Sequence, residues 1–136
     1  MTKKLIFVAP LVAGVALLSF GARSEDADKP RQSKAPPVEV LGAPVKCVNI
    51  SRIRNTVVHD DYTIDFNLSG GDIYRNTLPN RCPQLGFEER FAYEANIGQL
   101  CSIDSIMVIQ GSAVGRGPHC SLGEFVPVRY LEHAGG

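Results

Sequence analysis

A chain of 136 residues with 14 basic and 14 acidic side chains, and so a formal net charge of zero, has the size of one domain. No Lys/Arg cluster stands beyond Arg52–Arg54, which removes the basic patch that nucleic-acid binding needs. In a strand Arg52 and Arg54 share one face, the pattern of a solvated surface.

The N-terminus opens with Lys3 and Lys4, followed by the uncharged apolar run Leu5 to Phe20 and the small residues of GARSED. This is the pattern of a secretory signal. Cleavage after Ser24, with Ala22 and Ser24 at the recognition positions, or after Gly21 behind Ser19, would fit. The competing reading is a retained anchor, but 16 residues containing Pro10 and Gly14 fall short of the roughly 20 that span a bilayer. No cysteine near the cut suggests a lipid anchor. The expected mature chain is exported, periplasmic or secreted, with no membrane span, and carries 11 basic residues against 14 acidic. The division read here is signal peptide 1–24, leader 25–44, domain 45–130 and loose tail 131–136. The leader holds four prolines and seven charged residues, so it has little apolar surface to bury and reads as flexible.

Within the domain the period is two. CVNISRI opens it. TIDFNL puts Ile64, Phe66 and Leu68 on one face and Thr63, Asp65 and Asn67 on the other, the alternation of a half-buried strand. SGGD then leads into IYRNTL, and a Gly-Gly pair between two such runs predicts a hairpin over Tyr62–Leu78. PNRCP is a turn. GFEERFAYEANIGQL is the one place for a short helix, with a strand at Phe91 and Tyr93. SIDSIMVIQ is apolar on both faces, Ile103, Met107 and Ile109 against Ile106 and Val108, which predicts a central strand. GSAVGRGPH reads as a loop. EFVPV closes the domain, with Pro127 predicting a sheet edge or a bulge. The expected fold is mostly β: a small antiparallel sheet or partly closed barrel of five to six strands.

A domain this small needs staples. Cys47, Cys82, Cys101 and Cys120 are even in number and absent from signal and leader, which predicts two disulfides in an exported chain. Three pairings are open. The favoured one joins Cys82 to Cys101 and Cys47 to Cys120, on the argument that first and last strands meet when a small sheet closes. Zinc ligands come as close C-x₂₋₄-C pairs, and none exists here, so no metal or cofactor is expected.

His119 directly precedes Cys120. Neighbours in a strand point to opposite faces, so adjacency argues against a thiol with its base. Asp60, Asp61, Asp65, Asp72 and Asp104 read as turn and surface carboxylates, since the calcium-loop spacing is absent. The glycines of Gly111–His119 lack the following Lys and helix of a phosphate loop. Arg116 and His119 on that loop are the first choice for a recognition surface. NIS at Asn49 and NLS at Asn67 match the glycosylation sequon by chance.

The series CVNISRI, DDYTIDF, GGDIYRNTLPNRCPQL, LCSIDSIMV and CSLGEFVPV, covering Cys47 to Val128, resembles a group of small exported four-cysteine proteobacterial proteins of a domain family of unknown function. The resemblance implies a compact, exported, disulfide-bearing domain and carries over no activity. The functional expectation is a non-enzymatic binding or envelope-associated module whose partner is a protein or envelope component. The alternatives are an inhibitor inserting Gly111–His119 into an enzyme, or a small hydrolase using His119 or His59 with a nearby carboxylate.

Overall fold

The computed structural model describes Gly14, residues 33–111 and residues 115–132. All but Gly14 fall in the unit Gln32–Gly136. Of the segment read as a signal peptide only Gly14 is described, and residues 25–32 of the segment read as leader lie outside the described residues. The described chain is antiparallel β: β1 (Val38–Val40), β2 (Cys47–Asn49), β3 (Ile53–Val58), β4 (Thr63–Leu68), β5 (Ile73–Thr77), β6 (Phe91–Tyr93), β7 (Gln99–Cys101), β8 (Ser105–Gln110), β9 (Gly115–Ser121) and β10 (Phe125–Tyr130), with one short helix, α1 (Leu85–Glu88).

The largest sheet has five strands in the order β1-β10-β5-β4-β3; β2 pairs with β7, and β6-β8-β9 form a third sheet. None of the three closes into a barrel among the described residues. The β4–β5 hairpin forms where the sequence predicts it, with Asn67 opposite Ile73 and Asp65 opposite Arg75. Gly70 and Gly71 take φ of 92° and 88° in its turn, a region closed to most side chains.

One face of the large sheet and the two small sheets enclose the core. Ile64, Phe66 and Leu68 of β4 meet Val48, Leu100, Ile106 and Val108, with Leu85 of α1 and Phe125 of β10. Phe66 lies edge-on to Phe125, ring centres 5.3 Å apart. Buried Asn76 closes one end: its amide donates to Gly123 O at 2.7 Å and its carbonyl accepts from Gly123 N at 2.8 Å. A side chain on Gly123 would strike the Thr77 carbonyl.

Four expectations are corrected. The segment 25–44 is not leader throughout: Val38–Val40 is a strand of the large sheet, opposite Val128–Tyr130 of β10. Three residues between prolines are too short to show a period, and their pairing comes from β10 and not from their own composition. Pro127 is not at an edge, because β1 covers β10. Its carbonyl accepts from Leu41 N at 2.9 Å. In an antiparallel strand a residue's N–H and C=O point to the same side, so the missing N–H faces the end of β1 and β5 loses no bond. The segment read as the loop Gly111–His119 is strand from Gly115 onward; its tip, residues 112–114, lies outside the described residues. The tail read as loose begins with Leu131 N donating to Pro37 O at 3.2 Å; residues 133–136 lie outside the described residues.

All four cysteines are bonded, but the favoured pairing is wrong: the disulfides are Cys47–Cys101 and Cys82–Cys120. First and last strands do meet, but the first strand is β1, not β2. β2 pairs with β7, which sets Cys47 directly opposite Cys101. That leaves Cys82, fully buried after β5, for Cys120 of β9. Two formed disulfides place the folded chain in an oxidising environment.

Candidate functional site

Two clusters of chemistry stand out, one on the outer face of the large sheet and one on the outer face of the three-stranded sheet.

The first centres on Asp65. Alternation puts it beside Thr63 and Asn67, on the side expected to face water, yet its side chain is 0% exposed. Residues 33–37 run across this face: Arg75 donates to Pro36 O at 2.9 Å, while Ser33 Oγ and Lys34 N donate to Asp60 Oδ2, each at 2.9 Å. Beneath them Asp65 Oδ1 accepts from Arg75 Nε at 2.8 Å. Its Oδ2 accepts from Arg75 at 3.0 Å, from the Tyr130 hydroxyl at 2.6 Å and from His59 Nε2 at 2.7 Å. A carboxylate only accepts, so His59 carries its hydrogen on Nε2.

Burial pushes the Asp65 carboxyl up, but the hydrogen bonds from Arg75, Tyr130 and His59 outweigh it and hold the group below the ordinary carboxylate value. The partners respond in kind. Asp65 outweighs burial at Arg75 and raises its guanidinium. Burial and the bond to Asp65 push the Tyr130 hydroxyl up to about 12.

A group with a raised folded value gives stability that is complete below its ordinary value, here 10, and lost as pH rises through about 12. Tyr130→Phe is therefore expected to cost about 2 kcal/mol at pH 8, the worth of a hydrogen bond to a charged group. Denaturant midpoints of the two proteins should converge between pH 10 and 12; a gap that stays constant would show that the bond does not carry the difference.

The structure thus brings His59 to a carboxylate, as a hydrolase would need. Asp65, however, already accepts four bonds, three of them on Oδ2, and no Ser, Thr or Cys side chain bonds His59 among the described residues. A histidine oriented by Asp but facing no nucleophile lacks the third member of such a set. The cluster ties β3, β4, β5, β10 and residues 33–37 into one unit. No group of three His, Cys, Asp or Glu is placed to hold a metal ion among the described residues.

The second cluster is open to solvent. β8 lies between β6 and β9, central as predicted, but only Ile106 and Val108 enter the core. The opposite face, with Met107 and Ile109 half-buried, has no layer over it among the described residues. Ala92, Met107 and His119 stand in register across the three strands. With Tyr93, Glu94 and Ser105 they line an open groove of ≈ 370 Å³. Ile103, read as part of the strand, sits in the turn before it and is 90% exposed. A second groove adjoins it, sharing Asn96, Ile103 and Asp104 and adding Ile97, Gln99 and Cys101.

His119 and Cys120 point to opposite sides of β9: Cys120 joins the core and His119 is exposed on the groove. Arg116 pairs with Ile109; its side chain lies outside the described residues. The sequence marked His119 and the two-faced apolarity of β8. It did not show that one of those faces stays uncovered, because periodicity reports two apolar faces and not what covers them.

No helix among the described residues is long and apolar enough to cross a membrane. The chain matches no protein-family model, and no curated protein or solved structure matches it.

Proposed function

We propose that the protein is a non-enzymatic binding module of the periplasm or the secreted fraction, which holds a partner protein or envelope component on the open face of the β6-β8-β9 sheet. One observation carries the reading: a central strand with apolar residues on both faces has only one of them covered among the described residues. Apolar surface rimmed by polar groups on a folded domain marks an interaction site. Ile103, almost wholly exposed beside Met107 and His119, is the kind of anchor such sites use. Asp65 supports the non-enzymatic side of the reading, since its four bonds all go to side chains that hold the fold together.

The test is site-specific photo-crosslinking in the exporting cell. A photoreactive residue at His119 or Ser105 is expected to capture a discrete partner, and one at Glu39, on the distant β1 edge, is expected to capture none. Ile103→Asp should cut the capture at least tenfold. Being exposed, it should leave the melting temperature within about 2–4 °C, as surface changes within about ±0.5 kcal/mol do. Equal capture at Glu39, or capture indifferent to Ile103→Asp, would remove the reading.

A further inference from the structure

The chain between β6 and β7 turns tightly at Asn96–Gln99, closed by Gln99 N donating to Asn96 O at 3.1 Å. Its two central residues have φ of 57° (Ile97) and 72° (Gly98). Left-handed backbone at both positions is a demand that Asn and Gly meet, and a β-branched side chain there is an outlier. Ile97 is also 101% exposed, so neither its backbone nor its burial favours isoleucine within this fold. Strain of this kind persists at binding sites, where the residue serves something outside the fold.

Ile103 stands on the shared stretch of the two grooves and Ile97 lines the second of them. Among the described residues the acidic and basic side chains there have one sign: Glu94 and Asp104 line the grooves, and no described lysine or arginine does. A trough of mixed apolar and polar lining whose described acidic and basic side chains are all acidic complements a segment that is apolar and positively charged. A second copy of the chain, docked face to face, would bring Glu94 and Asp104 against their own counterparts, and an anionic lipid surface would meet the same repulsion.

We infer that this trough binds an extended peptide segment of alternating apolar and basic residues, with Ile97 and Ile103 as apolar contacts and Glu94 and Asp104 as the counter-charges. The inference rests on the open-face reading and adds the chemistry of the partner.

The probe is a fluorescent, end-capped octapeptide of alternating valine and lysine, with its valine–glutamate counterpart as control. The basic peptide should bind at least tenfold more tightly, and more weakly as salt is raised. Glu94→Lys should lower its affinity about tenfold. Ile97→Asn should do the same while raising the melting temperature, because asparagine accepts the left-handed turn; a merely structural Ile97 would not move affinity and stability in opposite directions.

Equal binding of the acidic peptide, unchanged affinity in Ile97→Asn, preferential binding to phosphatidylglycerol vesicles, or dimerisation through this face would each overturn the inference. If photo-crosslinks at His119 persist while the basic peptide fails, the partner chemistry falls and the open-face reading stands. If the peptide binds but crosslinks elsewhere, both fall.

Discussion

Asp65→Ala is expected to destabilise the fold by about 3–5 kcal/mol, the usual result of removing one partner from a buried ion pair. Arg75, 13% exposed and held by two bonds to Asp65, would be left as a charge with little water to reach. Tyr130 and His59 would lose their acceptor together. Against a typical stability of 5–15 kcal/mol, chemical denaturation should register a midpoint near the edge of folding. The loss belongs to the unpaired charge, so a double change of Asp65→Leu with Arg75→Met should recover most of it. Acid should mimic the single variant. The Asp65 carboxyl is held below its ordinary value of 3.8, so its contribution is complete above that value and is lost as pH falls beneath it. A cost under 1 kcal/mol for Asp65→Ala would mean that residues 33–37 do not cover the network in solution.

Removing either disulfide is expected to cost about 4 kcal/mol. The bridges close loops of 54 and 38 residues in sequence separation, and chain entropy grows only slowly with that length. Cys82→Ser with Cys120→Ser should therefore lower the melting temperature by roughly 15–30 °C, and loss of both bridges should leave the chain unfolded at 37 °C. Peptide mapping without reductant should recover Cys47 linked to Cys101 and Cys82 linked to Cys120. A Cys47–Cys120 peptide would contradict the β2–β7 register as well as the bridge.

What could be read from the sequence divides by length and by which side of an element one asks about. The β4–β5 hairpin was legible because five or six alternating residues carry a period, and β8 because its apolar residues fall on both faces. β1, β2 and β7, three residues each, were not legible as strands of a given sheet, and the disulfide pairing failed with them. Asp65 illustrates the second limit. Alternation correctly set it on the face opposite Phe66, but nothing local reveals that residues 33–37 return to cover that face. The open side of β8 is the same problem reversed. Ile97 was not legible, because its stretch reads as the place for a short helix and only the turn's dihedrals make the residue conspicuous.

The pairing of β1 with β10 has a consequence for the order of events in folding. Val38 lies opposite Tyr130, so the first and last described strands of the large sheet are neighbours, and β10 bridges β1 to β5. Such long-range closure slows folding relative to local pairing. Until β10 has emerged, β1 has no strand partner, and residues 33–37 are held by their bonds to Asp60 and Arg75. The chain can therefore form its central hairpin early, but it becomes one cooperative sheet only when its final strand is in place. A chain built this way stays incompletely folded while it is being made, and commits to its native state at the end.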